Sequence, residues 1–210
     1  DNEDGAKKKE KKEKKESTRE VDESGSEDDE SNKKDLDVDD DNVQDIIKSL
    51  KSEVANSNGA VKVESFYEEV RNQQIAKLFD NKVRLYIVLE AVCGESMDQK
   101  SVGAQKKVID KFITEGNMPA KEVLWAFDAY LLKNPSTSKG FPMVLKAIYD
   151  EDWVDESAML AYFKDDEGNG EPGFEEAKKA ATPFLKWLET VESDEDDEDD
   201  DDDDEDSDDD

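Results

Sequence analysis

Apolar side chains recur in steps of three and four residues between Asn42 and Val191, and such steps describe helices rather than strands. Val43, Ile46, Ile47, Leu50 and Val54 form a first stripe, which Asn56-Ser57-Asn58-Gly59 ends. Ser65 with Glu68 makes a capping-box pattern ahead of Phe66, Val70, Leu78 and Phe79, and predicts a second helix that stops near Asp80-Asn81. A third, from about Lys82 to Cys93, is apolar on most faces and is expected to be the most buried, with Gly94 at its end. Val102, Val108, Ile109, Phe112 and Ile113 define a fourth, closed by Gly116. Asn117 and Pro119 suit the start of a fifth, which carries Val123, Leu124, Phe127 and Leu131 until Asn134-Pro135 breaks it.

Pro142 is placed where a first helical turn tolerates proline, ahead of Val144, Leu145, Ile148 and Tyr149. Asp155 fits as the N-cap of a short helix from Ser157 to Phe163. Beyond the loop at 165–173, Phe174, Ala177, Ala181, Phe184, Leu188 and Val191 share one face of a final helix, which Pro183 is expected to kink or restart. Seven or eight helices with short connections and no strand pattern predict an all-α stack of antiparallel hairpins. Periodicity alone does not separate a HEAT stack from a generic bundle, because no repeated signature is present.

Charge divides the chain differently. Net charge is -8 over residues 1–41, -6 over 42–191 and -17 over 192–210, for -31 in all. The first segment is a charged linker with almost no apolar residue, and the last is an acidic tail; neither can bury enough surface to offset the entropy of ordering, so both are expected to be disordered. Seven lysines between Lys7 and Lys15 are interleaved with Glu10, Glu13 and Glu16, which favours a solvated polyampholyte over a nucleic-acid patch. The middle segment, of a size usual for one domain, holds nearly all the large apolar residues. So strong a negative charge argues against direct nucleic-acid binding. No signal peptide opens the sequence and no apolar run approaches ~20 residues, so neither secretion nor a membrane span is expected. Asp at position 1 suggests a fragment or a processed product.

Catalytic chemistry finds little to work with. There is no histidine and a single cysteine, so histidine acid/base chemistry, Cys-His nucleophiles, zinc fingers and an intrachain disulfide are all excluded. Cys93 lies in an apolar run and reads as core. No phosphate-binding loop, HExxH or EF-hand pattern occurs, and no cofactor or metal is implied.

What does stand out is a pairing of acids with aromatics, in two places. Asp150, Glu151, Asp152, Asp155 and Glu156 enclose Trp153, with Met159, Leu160, Tyr162 and Phe163 following at helical spacing. Near the chain end Phe184, Leu185, Trp187 and Leu188 run into Glu189, Glu192 and the tail. Phe184 and Leu188 lie on the regular stripe and read as packing residues; Trp187 is one position off it, open to either role, and Trp153, wedged among acids, is expected to be the exposed aromatic.

Tyr149-Asp150-Glu151-Asp152 with Asp155-Glu156, and Phe184, Trp187, Leu188, Glu189, Glu192 with the acids after Ser193, resemble the two acidic/aromatic boxes of the C-terminal HEAT domain of eukaryotic translation initiation factor 5. That domain type is shared with the epsilon subunit of exchange factor 2B. Tyr162 stands where the family usually has tryptophan, and Trp153 where an aliphatic residue is usual. The resemblance covers roughly Asp41 to Glu192 and implies an all-α HEAT fold. It also implies a cytoplasmic, monomeric adaptor that assembles the translation pre-initiation complex through lysine-rich segments of the factor 2 beta subunit, factor 3 (its c subunit) and factor 1. The residues it assigns to binding are Asp150, Glu151, Asp152, Trp153, Asp155, Glu156, Trp187, Glu189, Glu192, Asp194 and Glu195. The GTPase-activating function of that family belongs to an N-terminal domain and is not expected of these residues.

A second reading is an acidic histone chaperone, or a general shield for basic proteins, acting through the Asp-rich end. Ser26, Ser193 and Ser207 each precede a run of acids, the setting read by an acid-directed kinase.

Overall fold

A computed structural model of the chain describes residues 37–58 and 61–195, the last four of these by backbone alone. Helices α1 (Asp41–Asn56), α2 (Val63–Lys77), α3 (Asn81–Cys93), α4 (Gln99–Gly116) and α5 (Ala120–Lys133) follow one another with short connections. A 3-10 turn, Pro135–Lys139, then leads to α6 (Phe141–Asp150), α7 (Glu156–Phe163) and α8 (Phe174–Glu195), and there is no strand among the described residues. Contacts skip a helix. α1 packs on α3, α3 on α5, and α5 on α7 and α8, while α2 packs on α4, α4 on α6 and α6 on α8. This alternation is what stacked antiparallel hairpins produce, two layers deep, and it is the all-α, HEAT-type arrangement expected from the sequence.

Because α3 meets α1, α4 and α5 at once, every residue from Val83 to Val92 is buried, Arg84 and Glu90 included. Burial of charge is tolerated where partners replace water. Arg84 donates to Gln74 Oε1 (3.0 Å) and to the Phe112 carbonyl (3.2 Å), and its guanidinium lies over the Tyr67 and Phe112 rings. Glu90 accepts from Lys51 (2.9 Å) and from Asn134. Cys93 is half-buried against the core, where desolvation pushes its thiol up to about 12, too high for a neutral-pH nucleophile.

Most apolar stripes read from the sequence face this core, but several local details differ. Ser65 does not open α2, which begins at Val63 with no side-chain cap, and Leu78 is 82% exposed because it ends that helix in the left-handed region (φ 59°). Phe79, just after it, is buried. Packing already starts at Val38, whose carbonyl accepts from Gln44 Nε2 (2.7 Å). α4 carries an unforeseen capping box between Asp98 and Ser101.

α8 is seated by a close approach. Gly173 has φ 83°, and a Cβ there would lie 2.4 Å from the Asp128 carbonyl oxygen, so only glycine lets the helix begin against α5. The helix neither stops nor restarts at Pro183. Pro183, Thr182 and Lys179 are all on the exposed side, so the hydrogen bond that proline removes is lost where solvent can replace it.

Candidate functional site

The first acidic stretch is a helix ending, with its geometry set by backbone bonds. Trp153 N–H donates to the Ile148 carbonyl (3.1 Å) and Asp152 N–H to that of Tyr149 (3.0 Å), with Asp152 left-handed at φ 55°. That is a Schellman ending of α6, in which the residue after the left-handed one folds its apolar side chain back on the helix. Trp153 holds this position. It is accordingly 8% exposed, and its indole N–H donates to Asp110 Oδ1 on α4 (3.2 Å), so it is a core anchor and not the exposed aromatic expected of it.

The acids around it divide by role. Asp150 is exposed, both its oxygens accepting from Lys146 Nζ one turn earlier (2.7 and 2.8 Å). Glu151 pairs with Lys106 on α4, and Asp152 is exposed. Asp155 caps α7 as the sequence predicted: it accepts from the Ser157 hydroxyl (2.6 Å) and the Ala158 N–H (2.8 Å), bonds that hold its carboxyl below the usual range. Glu156, half-buried, opens α7. Tyr149, Asp150, Asp152, Val154, Asp155 and Glu156 together line one shallow, open depression.

On α8, Phe184 and Leu188 are core, as their stripe implied, whereas Trp187 is 36% exposed. Its ring stands edge-on to Tyr149 (centroids 6.0 Å apart, 81° between planes) and packs on Phe184 at 5.7 Å. The Lys146 ammonium lies over the Trp187 ring, 4.9 Å from its centroid. The contact of α6 with α8 thus brings the two acidic/aromatic stretches together, with Asp150 and Trp187 meeting through Lys146. Neither Lys146 nor Tyr149 was singled out as a binding residue from the sequence, although both lie one helical turn from Asp150 or Trp153. Glu189 pairs with Lys164 on the far side of α8 from this meeting point in sequence register. The side chains of Glu192, Ser193, Asp194 and Glu195 lie outside the described residues, though their backbone completes α8, which puts Ser193 in its last turn. Ser26 and Ser207 lie wholly outside them.

Among the described residues no group of acids or cysteine is disposed to hold a metal ion, and no helix is long and apolar enough to cross a membrane.

Both acidic/aromatic stretches fall inside a segment, 120–198, that matches the protein family described as W2: eIF4-gamma/eIF5/eIF2-epsilon. Residues 120–198 are thus similar to a W2 domain. Eukaryotic translation initiation factor 5 of Zea mays is 37% identical to the chain over 57 residues, which are 27% of this chain and 12% of that protein. A solved structure of the C-terminal domain of translation initiation factor 5 at low pH has the same fold, with a TM-score of 0.54 and 19% identity over 76% of this chain and 98% of that one. The matched segment starts at α5 and so includes α6, the turn after it, α7 and α8, the elements that form the acidic/aromatic face.

Proposed function

We propose that this face is a docking surface for lysine-rich segments of other translation initiation factors: the factor 2 beta subunit, factor 3 through its c subunit, and factor 1. The chain would then act as an adaptor in assembling the pre-initiation complex. The observation that carries the reading is a partly exposed Trp187 linked through Lys146 to the exposed carboxylate Asp150, which shares its depression with the exposed Asp152. Carboxylates attract a basic segment over a distance and speed its encounter, while the face of an indole gives an ammonium a contact that charge alone does not supply. Each exposed ion pair contributes only about 0.2–1 kcal/mol and each exposed cation-π contact about 0.5–1 kcal/mol, so useful affinity needs several lysines engaged together. A rigid two-layer stack suits that, because it holds the acids in fixed positions while an extended segment crosses them. The match to the W2 family and the relation to factor 5 supply the class of partner.

The test is the binding of octalysine, and of a lysine-rich segment from the factor 2 beta subunit, to the chain and to Asp150→Asn/Asp152→Asn and Trp187→Ala variants. Asparagine tolerates the left-handed backbone at position 152, so the double variant should melt as the parent does. Binding weakened by about three- to tenfold in each variant at moderate salt is expected. Unchanged binding, with affinity residing instead in residues 196–210, would favour an acidic shield for basic proteins such as histones.

A further inference from the structure

Resting on that reading of the face, we infer that Lys146 is an internal occupant of the lysine seat, which a partner's lysine must displace. The seat combines a carboxylate with a partly exposed indole, and both are already taken by one ammonium of the same chain. Lys146 Nζ lies within hydrogen-bond distance of both Asp150 oxygens (2.7 and 2.8 Å) and 4.9 Å from the centre of the Trp187 ring. The carboxylate oxygens keep spare lone pairs, but a second ammonium drawn to Asp150 and that side of Trp187 together would meet the like charge of the first, so it takes both contacts only by moving Lys146. The lysine's position is not explained by the helix alone. A lysine placed four residues before an acid is the weaker order for an i,i+4 pair, and an exposed pair of this kind contributes little to folding. Its reach to a tryptophan on a different helix is a tertiary contact, made where the two acidic/aromatic stretches meet.

Displacement is easy because the side chain is flexible and a third exposed, so it can swing into water. A weak or singly charged ligand must therefore compete with Lys146 for the seat, and segments with several lysines are favoured because their remaining charges settle on Asp152 and Asp155 while one enters the seat.

Lys146→Met tests this in the full chain, since methionine keeps the apolar stem and the helix propensity while removing the ammonium. Lys186→Met is the control: Lys186 is exposed on the same helix as Trp187, so the change in net charge is identical. Octalysine should bind Lys146→Met about three- to tenfold more tightly than Lys186→Met, and the Trp187 indole N–H resonance of the free Lys146→Met chain should be displaced from that of the parent. Equal affinity in the two variants, or weaker binding by Lys146→Met, would overturn the inference by making Lys146 a support for the seat and not its occupant. If parent and control, folded by circular dichroism, both fail to bind octalysine, it is the docking surface itself that fails, and the inference with it.

Discussion

Asp128 is a carboxyl enclosed by protein on α5, with the Tyr162 hydroxyl from α7 donating to its Oδ2 at 2.8 Å and no partner on Oδ1. Burial disfavours the charged form and raises its pKa well above the ordinary value, an effect that the tyrosine bond offsets only in part. A folded pKa above the unfolded value of about 3.9 means that the carboxyl's contribution to stability is complete at acid pH and is lost as pH rises from there toward the folded value. Asp128→Asn removes the titration, so its melting temperature should fall less than the parent's between about pH 4 and 7, which a series of thermal melts would show. Tyr162→Phe leaves the carboxyl with no described partner and should cost about 1–3 kcal/mol by urea denaturation at neutral pH. The sequence puts Tyr162 at a spacing that a helix can bury but gives no hint of Asp128, since one acid on an apolar helix looks the same whether it points inward or out. The two tryptophans show a similar limit. Trp153 sits among five acids, and composition made it look exposed, yet what decides its place is the left-handed residue before it. Trp187 sits one step off an apolar stripe, and its partial exposure beside Tyr149 and Phe184 depends on a contact between helices that periodicity does not give.

Among the helices, those with a wide apolar stripe were the most legible: α1, α3 and α5 begin and end within about a residue of where periodicity and the flanking signals put them, α4 ends at Gly116 as read, and Pro142 lies in the first turn of α6. Helix ends set by hydrogen bonds were less so. Nothing in the local pattern marks Lys62 as the residue before α2, and the 3-10 turn at Pro135–Lys139 is too short to carry a period. The Asp155 cap was legible because an acid followed by a short apolar run has one common use. It also separates folding from binding within a single residue. Asp155→Ala should lower stability by about 0.5–2 kcal/mol through loss of the cap on α7, whereas Asp155→Asn should cost a few tenths, since asparagine caps about as well. Octalysine binding measured on the folded Asp155→Asn chain then reports the charge alone. If the asparagine variant is destabilised as much as the alanine one, the cap is not what α7 depends on.

Taken whole, the chain joins a face of modest charge to a run of residues with extreme charge. Residues 196–210 carry fourteen acids and no base, and removing them would change the net charge from -31 to -17. The helical architecture was legible because every stripe called for a buried partner, but the order of helices in the two layers was not, as periodicity says which face is covered and never by what. The tail presents the opposite case, in which charge is legible and position is not. Its effect can still be argued from physics. A segment without apolar side chains contributes no packing, and its self-repulsion opposes compaction, so a chain ending at Glu195 should melt within about 2 °C of the full one. Its field should matter for encounter instead. Exposed charges are screened beyond about 8 Å at physiological ionic strength, so a tail leaving α8 only two helical turns after Trp187 acts on basic segments approaching that face more than on those already seated. The truncated chain should therefore associate with octalysine more slowly and with a shallower dependence on salt, while its dissociation rate stays close to that of the full chain. Stopped-flow traces across a salt series measure both rates. A dissociation rate that rises severalfold on truncation, with the association rate unchanged, would mean that the tail holds the ligand and that the acidic/aromatic face does not.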